Sequence, residues 1–207
     1  MTDTEFHVLK ELIARRRDVR RFHTRKVEQH VVDEVFGLVE AAPSVGNSQP
    51  WRWIQVNDPV ARSKVKASFE SSNEAAQKDI PGEKQSLYKK LKLAGLDEAP
   101  LQFAVFCDPE TAQGSGLGRQ TQPEALHYSV ACAVMIFWLA AKAKGLGVGW
   151  VSILNPSEIT ACLAVPETWD LVAYLCVGYP EEEHYDPELE RHGWQDRLWS
   201  SDDVIKR

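Results

Sequence analysis

Residues 124–153 read EALHYSVACAVMIFWLAAKAKGLGVGWVSI, and the fold turns on this stretch. From Glu124 to Lys144 the spacing predicts a helix. Leu126, Val130, Ala133, Val134, Phe137, Trp138 and Ala141 recur at three- and four-residue steps and form one stripe. Met135, Ile136 and Leu139 fill the other face. A helix that is apolar all round must be covered all round, so this one is central or lies in a subunit interface. Gly145, Gly147 and Gly149 then lead into a strand over 147–153. They are no dinucleotide fingerprint, which follows a strand and opens a helix. Here the order is reversed, and the glycines read as a helix end and a tight turn.

Working outward, 101–107 reads as a buried strand, and 51–56 as a strand closing on the turn Asn57-Asp58-Pro59. Helical spacing predicts helices over 5–17 (Phe6, Leu9, Leu12 and Ile13 on one stripe), 31–42, 59–73 and around 88–93. Downstream come a helix over 156–163, a strand over 171–177, an acidic loop over 181–186, and a tail with Trp194, Arg197 and Trp199. Residues 112–122 form a glycine-rich loop without the Lys-Ser/Thr ending of a phosphate-binding loop, and read as a mobile loop over a site. No repeat or low-complexity linker divides the chain, so 1–207 is one domain of mixed helices and strands.

With 43% hydrophobic and 26% charged residues in 207, the composition is globular. A net charge of −6 argues against a general nucleic-acid or membrane-surface binder, which needs a basic field. Cys107, Cys132, Cys162 and Cys176 form no CxxC pair and sit in apolar runs, as buried free thiols do in a reducing compartment. The histidines have no HxH or HExxH spacing, so no metal site is expected. No nucleophile elbow is present either. The first residues, MTDTEFHVLK, contain no signal core. The uncharged apolar run ending at Lys142 falls short of a bilayer span, and the expected address is the cytoplasm.

Three segments carry chemistry. Seven of the 24 lysines and arginines fall between Arg15 and Lys26, around Arg15-Arg-Arg-Asp-Val-Arg-Arg21. Arginine forks suit phosphate; the plainer reading is a solvated helix end complementing its dipole. In Ala42-Pro-Ser-Val-Gly-Asn-Ser-Gln-Pro-Trp51 a helix stops at proline and a polar loop leads into a strand. Such a loop offers groups that read the edge of a planar heterocycle, or it is a connecting turn. Gly147-Val-Gly-Trp-Val-Ser-Ile153 ends a strand in a hydroxyl where ligands of such sheets sit, or Ser152 is a satisfied strand-end serine.

As an ordered set, RRDVR at 16–20, APSVGNSQPW at 42–51 and GLGVGWVSI at 145–153 resemble the nitroreductase superfamily of FMN proteins, from about Arg16 to Arg197. The resemblance is strongest to the branch that makes 5,6-dimethylbenzimidazole, the lower ligand of vitamin B12, from reduced FMN. Asp18 stands where ordinary nitroreductases carry serine. Gly118-Arg-Gln-Thr-Gln-Pro-Glu124 looks like that branch's G-R-x-T-Q-P-E, and 149–152 like its G-W-V-S. Asn47-Ser48 departs from its bulkier apolar pair, and Asn47 follows the ordinary pattern. The resemblance implies an α+β, three-layer fold with a mostly antiparallel central sheet flanked by helices, and a domain-swapped homodimer with FMN at its interface. Arg16, Arg17 and Arg20 would hold the phosphate, ribityl chain and ring edge, with Asp18 and Val19 in the same binding segment. Arg197 would reach the phosphate, Ser44 and Asn47 would meet the flavin, and Ser152 and Ile153 would lie near the ring. Asp18 would be the general base, because neighbouring arginines favour the ionised form a base needs; Ser152 would position the ring or relay protons. Reduced FMN would be the substrate and O2 the co-substrate, the FMN coming from a separate flavin reductase. Two other readings stay open: an NAD(P)H-dependent nitroreductase-like oxidoreductase that recycles its FMN, and a flavin-binding module without catalysis.

Overall fold

The computed structural model describes residues 2–198, 200 and 204–205. In chain order the elements are α1 (Asp3–Arg15), α2 (Gln29–Val39), β1 (Trp51–Gln55), α3 (Pro59–Asp79), α4 (Gly82–Tyr88), β2 (Leu101–Cys107), α5 (Ala125–Ala143), β3 (Gly147–Val151), α6 (Pro156–Cys162), β4 (Asp170–Gly178) and α7 (Glu188–Arg191). Local chemistry sets most of the boundaries. Thr2 and Glu5 close a reciprocal capping box on α1. Asp58 accepts from the N–H groups of Val60 and Ala61, with Pro59 in the first turn of α3. Asn155 and Pro156 repeat the device on α6. α3 runs past the expected 73 to Asp79 because nothing stops it before Ile80-Pro81. The helix expected around 88–93 lies earlier: it starts after Pro81 and ends at Tyr88, whose hydroxyl donates to Asn73 Oδ1 at 2.6 Å.

The strands form one sheet in the order β1-β2-β4-β3, every neighbouring pair antiparallel. Alternate residues face opposite layers. Phe103, Val105 and Cys107 of β2 and Ala173, Leu175 and Val177 of β4 join the core under α2 and α5. Ala104, Phe106, Tyr174 and Cys176 join the core under α3 and α6. The result is the three-layer α+β arrangement expected. In the second core the Tyr174 hydroxyl donates to Gln102 Oε1 at 2.7 Å, and Gln102 Nε2 donates to the Leu96 carbonyl, so both buried polar groups are satisfied.

α5 lies across the sheet with Leu126, Val130, Ala133, Val134, Phe137, Trp138 and Ala141 buried, the stripe read from the sequence. Its 19 residues are, contrary to expectation, long and apolar enough to cross a bilayer. Half of that apolar window is buried on the rest of the chain, and its buried side chains belong to the core between α2 and the sheet. Its outer face stays open: Tyr128 is 56% and Met135 42% exposed. Cys132 shares that face and is exposed, and Cys162 is half-buried, so only Cys107 and Cys176 are the buried thiols expected. Burial pushes Cys107 up to about 11 and Cys176 to about 12. The stripe of α1 is open as well, with Phe6, Leu9 and Ile13 at least two-fifths exposed.

Candidate functional site

β3 is an edge strand, and Asp18 and Val19 lie along it, before Phe22 crosses to bridge Pro180. Asp18 bridges Val148 in parallel sense, and the Val19 N–H donates to the Val148 carbonyl at 3.0 Å. Two glycines of 145–149 make room for this. A Cβ at Gly149 would stand 2.1 Å from the Val19 carbonyl oxygen, and one at Gly147 would meet the Val19 side chain. Only Gly145, at φ +74°, is the helix-end glycine expected; the other two permit close approach. The approach brings the Asp18 side chain to the open edge of β3. Asp18 Oδ1 accepts the Trp150 N–H at 2.9 Å, and Oδ2 accepts Arg20 Nε at 2.8 Å. The side chain keeps 32% of its surface exposed. A carboxylate offers about four lone-pair sites, and these two bonds leave some open. Ser152 follows two residues after Trp150 and is exposed, and its hydroxyl has no partner among the described residues. Ile153 beside it is half-buried.

The arginines divide by what engages them. Arg20 is nearly buried, donating to Asp18 and to the Lys92 carbonyl. Arg17 donates from Nε to the Tyr185 carbonyl at 2.7 Å and from its terminal nitrogens to the carbonyls of Arg16 and Ala14, which closes the end of α1. Arg21 pairs with Glu182 and Glu188; burial would lower its pKa, but these carboxylates raise it. The Arg16 guanidinium has no hydrogen bond among the described residues, although the backbone N–H of Arg16 donates to the Leu12 carbonyl. Its guanidinium carbon lies 4.8 Å from the centroid of the Trp138 ring. Its pKa is lowered by burial and then by the like charge of Arg197, and that of Arg17 by burial, Arg197 and Arg16. These three arginines gather positive charge that carboxylates of the chain offset only in part, Asp18 at Arg16 and Asp186 and Glu190 at Arg17. Arg16 and Arg17 border a cleft with Arg15, walled by Trp138, Lys142, Glu182, Glu183 and Tyr185 among others. The Trp138 Nε1–H is buried and has no acceptor among the described residues. An oxyanion with several acceptor oxygens fits this donor set, and the phosphate of FMN is such a group.

Ser44 and Asn47 are elsewhere. Ser44 precedes and Asn47 ends the turn Val45–Asn47, whose Val45 N–H donates to Ser129 Oγ near the start of α5. Ser129 and Trp138 are nine positions apart, about 14 Å along a helix axis. The turn also leads into β1, at the opposite edge of the sheet from β3, three inter-strand steps or about 14 Å away. One chain therefore does not bring Ser44 and Asn47 to Asp18 and Ser152. The Ser44 hydroxyl accepts the Gln49 N–H at 3.1 Å, while Asn47 is exposed and its side-chain amide has no partner among the described residues. The glycine-rich loop covers this turn instead of the Asp18 end: Gln113 Nε2 donates to the Asn47 carbonyl at 2.9 Å. Arg119 holds that loop together through the Thr111 carbonyl. Trp138 and Lys142 were legible only as members of the long helix; nothing in their spacing marks them as cleft walls.

The family model described as "Nitroreductase family" matches residues 13–179. The 5,6-dimethylbenzimidazole synthase of Rhodospirillum rubrum is 53% identical over 182 residues, 88% of this chain and 86% of the relative. That of Rhodobacter capsulatus is 44% identical over 94% of each chain. A solved iodotyrosine deiodinase bound to FMN and 3-iodo-L-tyrosine superposes with a TM-score of 0.72 at 25% identity, covering 96% of this chain and 97% of that one.

Proposed function

The chain belongs to the nitroreductase family, and from that membership we infer that it acts as a 5,6-dimethylbenzimidazole synthase in the making of the lower ligand of cobalamin. The observation that carries this reading is its 53% identity to such a synthase over 88% of its length. The substrates are reduced FMN and O2. Reduced FMN supplies the electrons that activate O2 and the ribityl carbon that enters the benzimidazole ring. Arg16 and Arg197 hold its phosphate; Arg17 adds charge to the same cleft while its bonds fix the backbone there. Val19 and Arg20 line the path from the cleft to Asp18. Asp18 is the general base at the ribityl chain, held by the Trp150 N–H and Arg20 with lone pairs to spare. The free Ser152 hydroxyl positions the ring or passes on the proton, with Ile153 beside it.

Ser44 and Asn47 reach the flavin from a second protomer. The distance between the two halves of the site supports this, as do the open apolar faces of α1 and α5. An apolar surface of that kind is what a homodimer covers. The edge of β1 and the exposed tail residues Val204 and Ile205 suit a swapped dimer. A separate flavin reductase supplies the reduced FMN.

The test is to mix the purified protein with chemically reduced FMN, admit air and analyse by chromatography. The expected result is 5,6-dimethylbenzimidazole in proportion to enzyme. Intact reoxidised FMN would sink the reading and leave NAD(P)H-dependent reduction, which Asn47 favours. Asp18→Asn keeps an acceptor for Trp150 but removes the charge. It should cut product formation about 100-fold or more, the usual worth of a general base, while FMN binding changes only a few-fold. Product at the normal rate would remove Asp18 from the role of base.

A further inference from the structure

Arg17 and Arg20 are pinned by carbonyls or by Asp18, but Arg16 has no such bond and lies half-buried beside the like charge of Arg197. What faces its guanidinium is the Trp138 ring, 4.8 Å from the guanidinium carbon to the centroid. Trp138 is itself fixed. It is 7% exposed in the core under α5, and its ring centroid is 6.4 Å from that of Trp150, whose N–H holds Asp18. We propose that Trp138 is a positioning residue that holds Arg16 by a cation–π contact in the geometry that takes the flavin phosphate, and so makes the enzyme select a phosphorylated flavin. This rests on the reading of the cleft as the phosphate end of a flavin site. A ring face attracts the cation without using its N–H donors, which all stay free for phosphate oxygens; a carboxylate in the same place would occupy them.

The discriminating readout is the ratio of affinities for FMN and riboflavin, which differ only in the phosphate. Both are titrated by flavin fluorescence against the full-length protein. A loss of packing would weaken both ligands alike and leave the ratio unchanged, whereas loss of Arg16 positioning lowers the ratio. Trp138→Leu is expected to lower it about tenfold, which corresponds to about 1.4 kcal/mol. Trp138→Phe, which keeps a ring and most of the packing, should lower it about two- to threefold. In an Arg16→Gln background, Trp138→Phe should leave the ratio where Arg16→Gln put it. An unchanged ratio in Trp138→Phe and Trp138→Leu, with wild type preferring FMN, overturns the proposal and leaves the flavin site standing. So does an equal fall on Trp138→Phe with and without Arg16. If wild type binds riboflavin as tightly as FMN, the phosphate reading of the cleft fails first and the proposal with it.

Discussion

A methyl group at position 149 would meet the Val19 carbonyl oxygen at 2.1 Å, a distance no carbon–oxygen contact tolerates. Gly149→Ala must therefore push residues 18–20 away from β3, and the Asp18 carboxylate away from the Trp150 N–H. Overpacking of this kind costs about 1–3 kcal/mol, or several degrees in Tm for a chain of this size. Product formation should fall further than the folded fraction does, since the proposed base, Asp18, is itself displaced. Gly145→Ala is the control. Its Cβ would meet nothing within 4 Å, and only the positive φ of +74° opposes it, so it should cost about 1 kcal/mol and leave turnover per folded molecule unchanged. Thermal melts and product assays on the two variants separate these outcomes. Gly145 was legible from the sequence because a helix end is local. Gly147 and Gly149 were seen, but their reason was not, because the residue that needs the space lies about 130 positions earlier in the chain.

Elements whose boundaries depend on neighbours in the chain came out near their expected positions. The windows for β2, α5, α6 and β4 are right to within a residue or two, because apolar periodicity and proline or asparagine caps act locally. The helix expected around 88–93 was displaced because Tyr88 is fixed by Asn73 and stacks near Trp194, contacts no local pattern announces. The start of α2 carries a tertiary tie of its own. Glu28 precedes the helix, and its carboxylate accepts the Tyr179 hydroxyl at 2.8 Å and Arg25 at 3.1 Å. The Tyr179 bond first, then the backbone N–H and Arg25, hold Glu28 at about 2, below its usual 4.5. A carboxylate with a depressed folded pKa contributes stability above its unfolded pKa and loses it as pH falls through the folded value. The wild type should therefore lose stability between about pH 4.5 and 2 that Glu28→Gln no longer has to lose. Urea midpoints of the two proteins across that range should converge as pH falls; parallel curves would show that the tie contributes nothing in solution.

At the scale of the molecule, one chain sets the two groups of proposed site residues at opposite edges of the sheet. Asp18, Arg16 and Ser152 belong to the β3 edge, and Ser44 and Asn47 to the β1 edge. If each flavin is met by both halves from different protomers, defects in the two halves complement each other. Asp18→Asn and a Ser44→Ala/Asn47→Ala variant, each inactive alone, should regain activity when refolded together. Half the random dimers are mixed, each with one intact site, so about a quarter of wild-type activity is expected. Activity no higher than that of the parents would place both halves of each site in a single protomer. The faces that would pair are already exposed in one chain: Phe6 is 60%, Ile13 50% and Met135 42% accessible.

The antiparallel α+β class was implied by the family resemblance, while from the residues of the sequence came the elements, the central helix and the chemical inventory, with arginines for phosphate, a carboxylate among them and a hydroxyl at a strand end. These follow from periodicity, caps and residue chemistry, which act over a few residues. The tertiary structure decided how that inventory is used. It set Asp18 on the Trp150 N–H, turned Arg17 to the backbone, left Arg16 against Trp138, and put Ser44 and Asn47 at the far edge of the sheet. Each of these joins residues remote in the chain, and such pairings follow from how the sheet and helices pack, which no local pattern encodes.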